Sequence, residues 1–528
     1  MRRRSTTHLI SAQIVAVGVA LTLIAGCSSS GQEAAAPATL VPTIETGTTS
    51  TAPRVPDATA PSSVPPSIAA PVTDAPSTEP PAAPTTTADV PVATPVATPC
   101  PATAQAGFAC FTVAVPTDPA APAGATIDLA VTVRRIDPST WTSPVLSEND
   151  IAPAYPWEAT PQEPFVGHDV IWIDQRGAGR SDGAVDCPGL SKFGAELNSF
   201  RLTADAAAEV RSCIQVLSTG EAPVESIFDH DVTAADVVAV RRALGITHWS
   251  VYASGGAADI LLRLVRVDAD AITSITTRNP EVVGTGAGPN TLAEAFDRFA
   301  DGCAAAPTCA ALGDLRQSAT AALTRLQTPV TTSVTATGTG VPIVLDDVNI
   351  QAGIRTAMQD PSLASVLPGL IVGLVTGTSD DTIARYFDTY DPETNPIGLA
   401  SRCQLVDYAF PGIEQTSADS AGPFAGFSLQ EMCDQIGPVP QFTTAPDVRS
   451  DIPVFVILPA YAAGSSRDNA EQIFSGFPNT TIVGVPGISN PYEQLHDCFQ
   501  STTDAFFTAP TTPIDTSCLT DSSVTPFT

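Results

Sequence analysis

The chain has 528 residues, 43% of them hydrophobic, with 55 acidic against 24 basic side chains and a formal net charge of −31. The hydrophobic share supports a substantial core and excludes a chain disordered throughout. The acid excess excludes a nucleic-acid partner, whose phosphates need clustered Lys and Arg.

Residues 1–4 carry three arginines, and residues 9–26 are almost wholly apolar, with Gln13 the strongly polar exception. This is the charged n-region and apolar h-region of an export signal, predicted over residues 1–26. It closes on Leu23-Ile24-Ala25-Gly26-Cys27-Ser28, which resembles the lipobox of bacterial lipoproteins. The resemblance implies that Cys27 becomes the new N-terminus and carries acyl chains. That accounts for one sulfur left over from the odd total of 11 cysteines. The alternative is a plain transmembrane anchor ending at Gly26. Either way the rest of the chain lies on the extracytoplasmic face of the cell membrane. In the first case it touches the membrane by the lipid anchor only.

Residues 27–99 are rich in Pro, Ala, Thr, Ser and Val, with 15 prolines between Pro37 and Pro99. Such a segment cannot bury a core and has few backbone donors, so it reads as a disordered tether with a polyproline II bias. At about 3.1 Å per residue it would reach roughly 200 Å fully extended.

The folded part is predicted from Cys100. Residues 111–115 and 127–133 alternate or run β-branched and read as two strands. Residues 170–173, Val-Ile-Trp-Ile, read as a strand buried on both faces. Helical spacing over 232–244 stops at Gly245. A strand over 249–252, a helix over 256–267 and a strand over 272–275 follow. Repeated strand–helix–strand order argues for an α/β fold with a mostly parallel sheet flanked by helices. Residues 290–326 read as helical, with a capping box at Thr291…Glu294 and a Leu292, Phe296, Phe299 stripe. Residues 281–447 therefore form a predicted helical cap insertion. Strands over 452–457 and 481–485 and a closing helix over 492–507 complete a core of residues 100–280 and 448–528.

The other ten cysteines are Cys100, Cys110, Cys187, Cys213, Cys303, Cys309, Cys403, Cys433, Cys498 and Cys518. Exported and even in number, they read as disulfide partners, and sequential pairing closes the shortest loops. No CxxC and no His at ligand spacing occurs, so no metal and no cofactor is expected.

Residues 170–182 read Val-Ile-Trp-Ile-Asp-Gln-Arg-Gly-Ala-Gly-Arg-Ser-Asp. This resembles the Asp-Gln-Arg-Gly-x-Gly-x-Ser strand-and-loop motif of the α/β-hydrolases of the proline iminopeptidase and tripeptidyl-aminopeptidase-like group. Arg241-Arg-Ala-Leu-Gly245, Cys303…Cys309, Val485-Pro-Gly487 and Asp515-Thr-Ser-Cys518 also look like that family. The resemblance spans residues 100–519 and implies an α/β-hydrolase fold and sequential disulfides.

It also assigns places to a Ser-Asp-His triad, and the chain does not fill them. The nucleophile elbow, a tight strand-to-helix turn flanked by small residues, matches Tyr252-Ala253-Ser254-Gly255-Gly256-Ala257. Small neighbours at Ala253 and Ala257 put the nucleophile position at Gly255. The other register, Ser254, would place Tyr252 in the turn. The acid position holds Ala462. The base position holds Asn490, whose amide cannot take a serine proton. The loop that should supply oxyanion donors, residues 147–153, carries two acids and no Gly. The fallback catalytic pair is Ser254 with His496, and Asp468 has no special placement as an acid. His168, His230 and His248 precede the elbow and fall outside the family's chain order.

Asp174, Arg176 and Arg180 read as braces of their loop, and Trp172 and Trp249 as core or sheet-edge aromatics. Tyr252, Asp259 and Arg278 are candidates to line a cleft between sheet and insertion, where open α/β sheets bind ligands. Asp259 and Arg278 pairing with each other is the plainer alternative. The expectation is a surface lipoprotein with an α/β-hydrolase fold and a degenerate site, holding an unknown peptide, lipid or envelope-protein ligand. An active exported serine peptidase or esterase, and a structural envelope protein, are the alternatives.

Overall fold

Strands form where the sequence alternates or runs apolar, and they assemble into one sheet. The computed structural model describes residues 92–101, 107–137, 140–142, 144–148, 165, 167–184, 187–199, 201–217, 224–227, 229–282, 291–389, 424, 430–436, 445–462, 466–488, 495–521 and 526–527. The export signal, Cys27 and most of the tether lie outside these residues.

Nine strands pair in this sheet: β1 (Val96–Thr98), β2 (Phe108–Pro116), β3 (Thr126–Arg134), β4 (Val145–Glu148), β5 (Val170–Ile173), β6 (Trp249–Ser254), β7 (Ile272–Arg278), and, after the hairpin strands β8 (Val330–Thr335) and β9 (Pro342–Leu345), β10 (Val454–Pro459) and β11 (Thr480–Val485). Their order is β1-β2-β3-β5-β4-β6-β7-β10-β11. The first three are antiparallel to their neighbours, and every pairing from β5 to β11 is parallel. Three inner strands, β5, β6 and β10, are buried along their whole length. Parallel strands covered on both faces need such continuous apolar runs. From β4 the chain crosses to β5 on one side, and from β6 to β7 on the other. The carboxyl ends of β4 and β6 therefore flank the switch point where such sheets open a crevice.

Two layers cover the sheet. On one face lie the helix Ala204–Leu217, α1 (His230–Ala243) and α2 (Ala257–Asp268), packed on Val131, Val251, Ile275 and Val456. On the other, the closing helix His496–Thr508 places Phe499, Phe506 and Phe507 against Trp172, Tyr252 and Phe455. The insertion has a core of its own around α3 (Thr291–Ala305), the helices Leu315–Leu326 and Asp347–Gln359, and Phe296, Phe299, Met358 and Phe387.

Three details differ from the sequence reading. Val96–Thr98, inside the expected tether 27–99, pairs with β2 at the sheet edge. The insertion 281–447 is not wholly helical. The β-branched run Val330–Thr335 forms an antiparallel hairpin with Pro342–Leu345, as Val and Thr favour. Near its end, Cys433 and Ile436 of the helix Gln430–Ile436 pack into the core layer with Val210 and Cys213, not with the insertion. Disulfides join Cys100–Cys110, Cys187–Cys213, Cys303–Cys309 and Cys498–Cys518. Cys433 is disulfide-bonded too, and Cys403 lies outside the described residues. Among the described residues no helix is long and apolar enough to cross a membrane.

Candidate functional site

The Asp-Gln-Arg loop after β5 is built as a clamp. Arg176 is 1% exposed and donates through Nε and Nη2 to both Asp236 carboxylate oxygens, at 2.8 and 2.7 Å. Its remaining donors reach the Thr117 and Pro116 carbonyls and Ser226 Oγ. Asp174 accepts from the Arg180 backbone N–H at 3.0 Å. Ser181 Oγ donates to the Asp174 carbonyl and accepts from the Ala130 N–H, which fastens the loop to β3. Gly179 has φ 59°, and a Cβ there would stand 2.6 Å from Asp174 Cγ. Burial pushes the Asp174 carboxyl up, and the contacts with Arg180 oppose it. The Asp-Gln-Arg motif thus braces its loop with hydrogen bonds, as expected for Asp174, Arg176 and Arg180.

The elbow lies at the carboxyl end of β6. Ser254 is the last residue of the strand, in register with Arg278 of β7. Gly255 turns the chain at φ 55°, a left-handed conformation that glycine adopts freely. Its N–H donates to the Arg278 carbonyl at 3.1 Å, and its carbonyl accepts from the Glu281 N–H at 2.9 Å. Gly256 and α2 follow. Ala253 and Ala257, two residues either side of Gly255, are both buried, as a close strand–helix turn requires. The apex therefore stands at Gly255. Ser254 shares a strand face with Tyr252 by the two-residue alternation. Tyr252 sits in the aromatic layer, edge-on to Phe165 with ring centroids 5.3 Å apart.

The cleft-lining expectation fails for Asp259. This residue is 0% exposed and lies in the seam between α1 and α2, because it is on the first turn of α2 facing the first turn of α1. Its Oδ2 meets His230 Nδ1 at 2.6 Å and accepts from Arg263 Nε at 2.9 Å. Arg263 Nη1 also pairs with Asp231 at 3.0 Å. Burial would raise the Asp259 carboxyl, but the His230 hydrogen bond and the charges of His230 and Arg263 together outweigh it and hold the group below the ordinary carboxylate range. Asp259 thus pairs with His230 and Arg263, where the sequence suggested Arg278. The four-residue step from Asp259 to Arg263 was readable, since such pairs meet on one helix face. Arg278 is half-buried at the end of β7.

At the acid position, the turn after β10 is packed shut. Tyr461 and Ala462 are both buried. The Tyr461 N–H donates to the Ile488 carbonyl at 3.2 Å, and the Ala462 N–H to the Pro459 carbonyl at 3.3 Å. Arg298 Nε of α3 donates to the Ala460 carbonyl at 2.7 Å. The Tyr461 ring meets Phe299 edge-on at 5.1 Å, and burial, helped by Asp301, pushes its hydroxyl up to about 12. The Asn490 position lies outside the described residues. Ser147 and Glu148, expected to open the oxyanion loop, instead extend β4 beside Tyr252 and Ala253. The rest of that loop, 149–153, lies outside the described residues.

The histidines are dispersed. His168 packs edge-on against Phe507 at 5.5 Å, with Asp504 at 3.4 Å. His248 is exposed between α1 and β6, and His496 opens the closing helix. Asp468 lies in the helix Arg467–Ile473 after β10. Trp172 and Trp249 are buried in the core. Among the described residues no group of three His, Cys, Asp or Glu is placed to hold a metal ion. An apolar pocket opens inside the insertion, lined by Ile350, Ile354, Ala357, Leu370, Leu374 and Phe387 among others. Neither Gly255 nor Ala462 borders it.

No family model matches the chain, and no curated protein matches it. Solved structures similar to it include an α/β hydrolase enzyme from a Medee basin deep-sea metagenome library, at 10% identity over 74% of this chain and 96% of that one, with a TM-score of 0.36. Another is a proline iminopeptidase of Mycobacterium smegmatis, at 12% identity over 75% and 97%, with a TM-score of 0.31. A third is an α/β fold family hydrolase of Bacillus anthracis, at 12% identity over 77% and 99%, with a TM-score of 0.35. The fold class stands on the sheet itself: a large, mostly parallel sheet of the α/β-hydrolase type, flanked by helices.

Proposed function

We propose that the chain is a cell-surface lipoprotein whose hydrolase-like scaffold binds its ligand without cleaving it, a peptide, a lipid or another envelope component. One observation carries this reading. The apex of the turn after β6 is Gly255, at φ 55°, where a hydrolase presents its nucleophile. Glycine supplies neither a nucleophile nor a proton to transfer. The buried Ala462 at the acid position and Asn490 at the base position agree with it. The hydroxyl of Ser254 stands one residue early, at the end of a buried strand.

The test is covalent labelling. The purified chain incubated with a fluorophosphonate probe should keep its mass, because no activated serine attacks the phosphorus. An adduct that disappears in Ser254→Ala would overturn the binding reading in favour of a rearranged serine hydrolase. Gly255→Ser should remain inactive towards aryl esters and aminoacyl anilides, since general base and acid each contribute about 10²–10⁴-fold and both positions stay empty. Recovered turnover from that single change would show that a base and an acid are already in reach.

Lipid anchoring has its own check. Cys27→Ala should leave the precursor unprocessed or release the protein into the medium, because one residue carries the acyl chains. Unchanged processing and membrane retention, read by fractionation and intact mass, would favour the plain transmembrane anchor.

A further inference from the structure

We infer that the apolar pocket inside the insertion is a binding site for the hydrocarbon chain of a single-chain amphiphile, such as a fatty acid or a long-chain alcohol. Three helices form its walls, Asp347–Gln359, Leu367–Thr376 and Asp380–Thr389. Ile354 and Ala357 line it from the first, Leu370 and Leu374 from the second, and Ile383 and Phe387 from the third. Its volume, mouth included, is about 430 Å³, inside the range of small-molecule sites. Protein interiors normally close such space by interdigitation. Here small residues one helical turn apart hold it open. Gly353 leaves room for the Phe387 ring, since a Cβ there would lie 2.9 Å from it. Ala357 reaches the cavity with a single methyl group.

The lining selects the occupant. No charged side chain borders the pocket, and the Tyr386 hydroxyl is the one polar side-chain group there. An ionised or densely polar ligand would lose its hydration without replacement. A hydrocarbon chain has no such hydration to lose, and apolar cavities stay dry and take apolar guests. The approach is uncharged too. Residues 361–379 contain no Asp, Glu, Lys, Arg or His, in a chain with a net charge of −31. Within that stretch Val366 is 52% exposed, and Leu363 and Leu370, which line the pocket, are half-buried. A hydrocarbon chain can therefore enter past apolar side chains while its head group stays in water. The site is separate from the turn after β6, because neither Gly255 nor Ala462 borders it. It goes beyond the binding reading, and a fluorophosphonate adduct at Ser254 would leave it standing.

The test titrates the purified chain with cis-parinaric acid below its micelle concentration and reads the polyene fluorescence, which rises as the tail leaves water. Saturable binding is expected. Ala357→Leu should weaken it at least about tenfold, because the larger side chain occupies the cavity. Its Tm should hold or rise, since filling a cavity stabilises. 1-Octanol should displace the probe better than 1-hexanol, by roughly fourfold for each added methylene. Octanoate should displace it no better than 1-octanol. The absence of saturable binding, equal binding by wild type and Ala357→Leu, or displacement by octanoate but not by 1-octanol overturns the proposal. Should Ala357→Leu fail to fold, Leu370→Asn decides, since Leu370 is half-buried at the mouth. That change should weaken the probe at least about fivefold by placing an amide against the chain, and unchanged binding overturns the pocket.

Discussion

Replacing Arg176 by Met is expected to destabilise the fold by about 3–5 kcal/mol, read as a fall in the urea midpoint. The guanidinium is buried and spends its donors on Asp236, Ser226 and two carbonyls at the end of β2. Burial pushes the Asp236 carboxyl up even though Arg176 pulls it down. Desolvation thus outweighs attraction, and the pair adds little net stability while intact. Removing one member is a different matter, because Asp236 must then stay charged without a partner or take up a proton. Arg176→Met with Asp236→Leu should therefore recover at least half of the loss. No recovery would place the cost in the orphaned carbonyls of Pro116 and Thr117.

The second large effect is expected at Asp259. Asp259→Asn should cost about 3 kcal/mol at pH 7, because Arg263 and His230 lose the buried charge between them. The sign of its pH dependence follows from the depressed carboxyl. In the folded chain Asp259 ionises below its ordinary range. The stability it adds is present above the unfolded value, about 3.9, and is lost as pH falls through the folded one. Urea titrations at pH 7 and below pH 4 should show a steep acid loss in wild type and a shallower one in Asp259→Asn. Parallel acid limbs would remove Asp259 from the acid response.

The sheet was legible in the sequence because its central strands carry their signal locally. Residues 170–173 and 452–457 are largely apolar runs and 249–252 carries Trp, Val and Tyr, and the structure buries 170–173, 249–252 and 454–457. The edge strand Val96–Thr98 was not legible. Its three residues are held by backbone hydrogen bonds to β2, and a composition window full of proline hides them. The hairpin Val330–Thr335 with Pro342–Leu345 was lost for a similar reason, since it lies among helices whose period dominated the region. At the site, the small residues Ala253 and Ala257 pointed to a tight turn at Gly255, and the structure gives Gly255 a left-handed φ between those two buried alanines. What no local pattern reveals is the filling of the turn after β10. Tyr461, Phe299 and Phe527 come from three distant parts of the chain, and only tertiary packing brings them together.

The edge strand and the first disulfide have a mechanical consequence. Tension applied to the chain ahead of Val96 reaches the protein through three residues paired to β2. Those hydrogen bonds peel first. The pull then meets the Cys100–Cys110 bond, which is covalent and holds the Thr98 end of the Val96–Thr98 register. Force entering from that side is handed by the disulfide to Cys110 within β2, so a tug on the leading segment extends the protein by a few residues before the Phe108–Pro116 pairing with β3 bears the load.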